Sequence, residues 1–167
     1  WSSDVCSSDL TYSTDATIAQ TTANLSQARV YLAGISAQTQ GYFAGGYVSL
    51  ATADKLTYSN DTTAAQTSAN LSQGRHGLAG CSGNEIKGYF AGGNTTSATQ
   101  GIVTADKLTY SNDTTAAQTS ANLSQGRHFL AGVSEGLTKG YFAGGYTGSL
   151  VLVRSEEHTS ELQSHLN

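Results

Sequence analysis

The stretch TADKLTYSNDTTAAQTSANLSQGRH occurs twice without a change, at residues 52–76 and 104–128, and each copy reaches a GYFAGG hexapeptide 13 residues after its arginine. A looser copy, LTYSTDATIAQTTANLSQAR, spans residues 10–29 and runs on to its own GYFAGG at Gly41. The step is 46 residues from Tyr12 to Tyr58 and 52 from Tyr58 to Tyr110. A period of that size, with short apolar runs punctuated by glycine pairs, belongs to a sheet-built repeat rather than to a helical hairpin. The chain therefore folds as copies of one unit, and each unit buries its apolar face on its neighbours.

The ends depart from this pattern. WSSDVCSSDL and RSEEHTSELQ can be encoded by DNA strings that are reverse complements of each other, and both strings resemble a common sequencing adapter. On that resemblance, residues 1–10 and 154–167 are adapter-derived, non-native tails, and neither is expected to bury a coherent face. The repeat region is 11–153, with units near 11–46, 51–93 and 103–146. The formal charge of -4 then comes wholly from the tails, since residues 11–153 carry seven acidic and seven basic side chains. A balanced charge gives no footprint for nucleic acid, and no apolar run is long enough for a helical membrane span. Cys81 is the one cysteine left in the repeat region, so it has no internal disulfide partner there; its repeat equivalents Ile35 and Val133 mark it as a small buried hydrophobe.

Within the unit the periodicity is two. Leu56 and Tyr58 fall on one face of KLTYS, with Lys55 and Thr57 on the other, and Leu108 and Tyr110 repeat the arrangement; this predicts a half-buried antiparallel strand. Asn60 and Asp61 form a turn; the alanines of TTAAQTSANL suit a helix, but its threonines and its place after a tight turn favour a returning strand, which is the expectation. After each arginine, YLAGI, GLAGC and FLAGV set Leu32, Leu78 and Leu130 at one offset, followed by Ala-Gly, which allows close approach of neighbouring sheets. GYFAGG is a strand ended by Gly45-Gly46, Gly92-Gly93 or Gly144-Gly145, glycines that supply positive φ or close packing. The unit thus has four antiparallel strands.

Arg, short apolar strand, aromatic-apolar-Gly-Gly, variable loop, strand with Tyr, turn with Asp: this order resembles the Kelch motif. Arg75, Gly92-Gly93, Tyr110 and Asp113 carry it in one unit; Arg29, Gly45-Gly46, Tyr58 and Asp61 carry it in another. Arg127 and Gly144-Gly145 begin a third. The resemblance covers nearly all of residues 11–153 and departs at Ala65 and Ala117, where Kelch repeats commonly have Trp. It implies an all-β fold: a Kelch-like β-propeller fragment of about three four-stranded antiparallel blades, incomplete at both ends. Closure removes sheet edges in propellers of four to eight blades, so an arc of three, expressed alone, is expected to be marginal or to oligomerise.

Candidate chemistry is sparse. His76 and His128 follow an Arg, but Val30 stands at the matching place in the first unit, and two His a unit apart do not supply a metal's ligand set. The adjacent pairs Asp54-Lys55 and Asp106-Lys107 point to opposite faces of a strand and are expected to be solvated surface. Asn24, Asn60, Asn70, Asn94, Asn112 and Asn122 sit in N-x-S/T triplets, glycan acceptors in a secreted eukaryotic chain and otherwise a product of composition and duplication. The expectation is no catalytic residue, no metal and no cofactor.

Function then falls to loops held by a rigid scaffold. In the Kelch-like strand order, the loops carrying Gln27, Arg29, Gln73, Arg75, Gln125 and Arg127 emerge on the same side as the one starting at Asn94, Thr95 and Thr96. These loops form the candidate binding face. The competing reading makes the arginines structural, bonded to nearby carbonyls. The implied role is a non-catalytic scaffold presenting loops to a protein or glycan, with missing blades supplied by the parent chain. A structural fibre or surface repeat of extracellular or phage type, and a fragment of a galactose-oxidase-like enzyme, are the alternatives.

Overall fold

The computed structural model describes residues 7–96, 100–135 and 138–148. They form twelve strands and three single turns of 3-10 helix. Strands β3 (Ala33–Ser36), β4 (Gln40–Ala44), β5 (Ala53–Thr57) and β6 (Thr62–Ala65) make one four-stranded antiparallel sheet in chain order. Strands β7 (Ala79–Ser82), β8 (Lys87–Ala91), β9 (Ala105–Thr109) and β10 (Thr114–Ala117) make a second. Before them, β1 (Ser8–Thr11) pairs with β2 (Ala16–Ala19), and after them β11 (His128–Ser134) pairs with β12 (Gly140–Tyr146). The described residues thus hold two whole four-stranded units, preceded by a strand pair that matches the last two strands of a unit and followed by one that matches the first two. Among the described residues the sheets do not close into a ring.

The registers repeat with the sequence. Phe43 lies opposite Asp54 and Phe90 opposite Asp106; Leu56 lies opposite Thr63 and Leu108 opposite Thr115. The identical tracts share one local conformation down to the turn residues: φ is 51° at Asp61 and 53° at Asp113. Asn60 Oδ1 accepts from the Thr62 hydroxyl at 2.7 Å, and Asn112 Oδ1 from the Thr114 hydroxyl at the same distance. A short polar side chain that bonds its own turn tolerates left-handed backbone, which is why Asn-Asp stands there.

The returning strand is shorter than its composition implies. Only Thr62–Ala65 pairs with β5, and Thr67–Ala69 then forms a 3-10 turn. Ala53 dictates the break: its carbonyl accepts from the Gln66 amide at 2.9 Å, and its own amide donates to Asn70 Oδ1 at 2.9 Å. With both backbone groups of the strand end engaged, the chain must turn. Asn122 repeats the bond on Ala105, and Asn24 on Ser7. Three of the N-x-S/T asparagines therefore close strand ends. The β1–β2 pairing places residues 8–10 in a sheet, and that last bond ties Ser7 to its end, although these residues belong to the stretch assigned as tail; Ser8 and Leu10 remain exposed and Asp9 half-exposed. Residues 1–6 and 154–167 lie outside the described residues.

Successive sheets pack through their first strands and through strand-end tyrosines. A Cβ added to Gly80 would lie 2.1 Å from the Gly34 carbonyl oxygen, and one added to Gly132 would lie 2.1 Å from that of Gly80. The glycine of the Ala-Gly step in β7 and in β11 is what lets each of these strands touch the preceding one backbone to backbone. Tyr110 of the second sheet stacks on Tyr42 of the first, centroids 5.8 Å apart and planes 12° from parallel, and donates to the Ser36 carbonyl at 3.2 Å. Tyr110 is 5% exposed, whereas its counterpart Tyr58, whose preceding sheet lacks the first two strands among the described residues, is 39% exposed. Ile35, Leu78, Phe90 and Leu108 fill the core around this contact.

A charged clamp crosses the same junction. Asp113 accepts from Lys55 Nζ at 2.8 and 2.9 Å, from Gln66 Nε2 at 3.0 Å, and from the Tyr42 hydroxyl. Partial burial alone would raise the carboxyl's pKa, but these bonds outweigh it and hold it below the ordinary aspartate range. Burial and the same carboxylate push the Tyr42 hydroxyl up.

Two outcomes follow. Gly80→Ala should cost about 1–3 kcal/mol in urea unfolding, while Gly34→Ala, whose added Cβ meets the Phe43 ring at 3.4 Å and the Tyr42 carbonyl at 3.8 Å, both in ordinary contact, should cost under about 1 kcal/mol. Because Asp113 is depressed in the folded state, its contribution is present above the unfolded value near ~3.9 and lost as pH falls below it. Asp113→Asn should therefore lower stability at pH 7 and flatten the acid limb of a stability-against-pH curve.

Candidate functional site

Arg29 lies in the loop before β3 and turns back into its own sheet. Its guanidinium donates to Asp54 Oδ2 at 2.7 Å, to the Thr52 carbonyl at 3.0 Å and to the Phe43 carbonyl at 3.1 Å. Arg75 does the same in the second sheet, 3.0 Å from Asp106 Oδ2 and 3.1 Å from the Phe90 carbonyl. All four side chains in these two ion pairs are fully buried. Burial lowers the pKa of both arginines and the paired carboxylate opposes it; guanidinium stays charged under either influence.

Two expectations are corrected here. Arg29 and Arg75 do not line a contact surface, because their side chains are fully buried and bonded to two strands of their own sheet. Asp54 and Asp106 are not solvated, because they are the acceptors. Adjacent strand residues do point to opposite sides: Asp54 faces Arg29, and Lys55 faces Asp113 across the junction. The Ser26 amide and hydroxyl also donate to Asp54, at 3.1 and 2.5 Å, and the Ser72 amide donates to Asp106 at 3.1 Å. Arg127, third in the series, is partly exposed and makes no ion pair among the described residues; it donates to the Gly144 carbonyl at 3.0 Å and reaches Gln125 at 3.5 Å. Gln73, Gln125 and Thr96 are exposed, and Asn94 and Thr95 half-buried. The Asn94 amide and carbonyl pair with those of His76 at 2.8 and 3.0 Å.

The exposed surface above the buried arginines is aromatic. Two residues after each arginine stand Tyr31, Gly77 and Phe129, with φ of 59°, 63° and 56°. Backbone bonds link them across the three sheets: the Gly77 amide donates to the Tyr31 carbonyl at 2.8 Å, and the Phe129 amide to the Gly77 carbonyl at 2.6 Å. Left-handed backbone suits glycine; for Tyr and Phe it costs on the order of 1–3 kcal/mol. Gly77 also leaves the space into which the Phe129 ring leans, 5.4 Å from the ring of Tyr31. Tyr47, directly after Gly45-Gly46, sits 6.3 Å from Tyr31 and 5.5 Å from His76. Tyr146, directly after Gly144-Gly145, sits 5.2 Å from His128, itself 4.7 Å from Phe129.

Tyr31, Tyr47 and Phe129 are each more than half exposed, and Tyr146 is 39% exposed. Burial, and then the proximity of His76, lower the His128 pKa, so this ring is neutral near pH 7. The surface offers uncharged rings flanked by the Ser49 hydroxyl, 3.4 Å from His76 Nδ1, and by Asn94. Sequence reasoning missed these rings because glycine occupies the middle position of the aligned set; the shared offset from the arginine was the signal available. Among the described residues no three His, Cys, Asp or Glu side chains are grouped to hold a metal ion.

Neither a protein-family model nor a curated protein matches this sequence.

The contrast among the arginines is measurable. Arg75→Ala strands the buried Asp106 and should cost about 3–5 kcal/mol, whereas Arg127→Ala should cost under about 1 kcal/mol, both by urea denaturation.

Proposed function

We propose that this chain is a piece of a Kelch-like propeller that serves as a non-catalytic scaffold, and that it engages a protein or glycan partner through the aromatic rim above the buried arginines. The observation that carries this reading is the strain at that rim. Tyr31 and Phe129 hold left-handed backbone at positions where Gly77 shows that glycine is accommodated, so the fold does not require aromatic rings there. Retaining large, half-exposed rings in unfavourable backbone is a pattern associated with sites kept for contact, and a cluster of exposed rings is a common mark of an interaction surface. Flat, uncharged rings beside hydroxyl and amide groups suit the apolar faces of sugar rings or aromatic and aliphatic side chains of a peptide. The exposed Gln73 and Gln125 and the loop beginning at Asn94, Thr95 and Thr96 border this face and supply adaptable polar contacts.

The test is a glycan array and a displayed-peptide library probed with the unaltered chain, followed by Tyr31→Gly and Phe129→Gly. These variants should keep their circular dichroism, hold or raise their unfolding midpoint as the left-handed strain is relieved, and lose at least about tenfold in affinity for any ligand found, the scale of an aromatic anchor. Unchanged affinity in both variants would remove the rim from the account.

A further inference from the structure

The fold sorts the N-x-S/T asparagines into two groups. Asn60 and Asn112 lie at the tips of the β5–β6 and β9–β10 hairpins, and both they and the threonines two residues on, Thr62 and Thr114, are exposed. Asn70 and Asn122 instead accept from the Ala53 and Ala105 amides at 2.9 Å, and Asn24 accepts from the Ser7 amide at 2.8 Å. Asn94 is paired through its backbone to His76, and its Oδ1 is buried. We propose that Asn60 and Asn112 are acceptor sites for an N-linked oligosaccharide, and that the fold withholds the other four triplets.

A transferase must draw the acceptor triplet into its own cleft, and the bulky glycan it adds needs a surface position. An exposed polar loop tip meets both demands with the sheet intact. The Asn70 triplet does not: its middle residue, Leu71, is 5% exposed and belongs to the core, and Leu25 and Leu123 are half-buried at the same place. Presenting any of these three would lift a leucine from its packing and strip a strand-end amide of its acceptor, which requires a local opening of the unit. The tips also hold the reacting group ready. The Thr62 hydroxyl donates to Asn60 Oδ1 at 2.7 Å and the Thr114 hydroxyl to Asn112 Oδ1 at the same distance, while among the described residues neither Nδ2 has a hydrogen-bond partner. Transfer forms the bond from Nδ2 to C1 of the first sugar and breaks the bond from that C1 to the phosphate oxygen of a lipid-pyrophosphate donor. The nitrogen gives up one proton, and the lipid pyrophosphate leaves with the electron pair. A donor on Oδ1 favours the carboxamide as it loses that proton.

The two acceptors also share one end of the sheets. Ala44 pairs with Ala53 at the end where Gly45-Gly46 leads into the aromatic rim, and Gln40 pairs with Thr57 at the other, from which the Asn60 turn departs. The second sheet repeats this, with Ala91 on Ala105 and Lys87 on Thr109. Asn70 and Asn122, bonded to Ala53 and Ala105, and Asn94, directly after Gly93, lie at the rim end. Glycans at Asn60 and Asn112 therefore cover the end of the sheets away from the rim and leave its rings bare.

The test is transfer in vitro, by a single-subunit eukaryotic oligosaccharyltransferase from a lipid-linked oligosaccharide, to the folded chain and to a synthetic peptide of residues 56–75, which carries the Asn60 and Asn70 triplets without the fold. The peptide should accept at both asparagines. By intact mass the folded chain should gain two glycans, Asn60→Gln and Asn112→Gln one each, and the double variant none. Fragmentation of the tryptic peptides should place the glycans at the hairpin tips. A third glycan on the folded chain, any glycan on the double variant, or a folded chain that gains none while the peptide is modified would each overturn the assignment. A peptide modified at Asn60 alone would put the selection in the sequence and overturn the role given to the fold.

Discussion

The buried pairing of an arginine with an aspartate is the interaction around which each four-stranded unit is arranged. Arg29 joins the loop before β3 to the ends of β4 and β5 in one step, by bonding the Phe43 and Thr52 carbonyls together with Asp54. Arg75 and Asp106 repeat the device. A buried ion pair returns little net stability against an apolar replacement, because both charges must leave water, but it is exacting about geometry. Here that exactness selects the register: slipping β5 by one residue on β4 would send Asp54 to the far face and Lys55 toward Arg29. Only the native register gives every buried charge a partner.

Glycine makes the next level possible. With Gly80 and Gly132 in the first strands, neighbouring sheets approach until backbone meets backbone, and the strand-end tyrosines reach across to the sheet before. The same closeness draws the loops after Arg29, Arg75 and Arg127 together at one end, where the amides of Gly77 and Phe129 bond the carbonyls of the preceding units. The aromatic rim is thus a product of the sheet spacing: rings from three different units converge because their backbones are tied.

Much of the fold was legible in the sequence, and the reasons differ by feature. KLTYS reads as a strand because its apolar and polar residues alternate with a period of two in the sequence, GYFAGG because a short aromatic-apolar run ends in a glycine pair, and the glycine pairs take positive φ. The end of the returning strand was not legible, since it depends on Asn70 and Gln66 engaging Ala53, whose place opposite them exists only once the sheet is built. Asp54 looked like a surface residue for a related reason: its partner lies 25 residues upstream, and nothing in the local pattern of a strand marks a carboxylate as the recipient of a distant guanidinium. The rim was hidden by a single substitution, Gly77 between Tyr31 and Phe129, which disguises an aligned position as a variable one.

The identical tracts supply the most direct measurement, because sequence is held constant while surroundings change. The Ser72 amide donates to the buried Asp106 carboxylate, whereas Ser124, in the same local sequence, has no such carboxylate among the described residues. Residue-resolved amide hydrogen exchange under native conditions should find Ser72 slower than Ser124 by about a hundredfold or more, as expected when one opens only with its sheet and the other with a local fluctuation. Equal exchange at the two serines would mean that the arginine–aspartate lock does not govern how the units hold together.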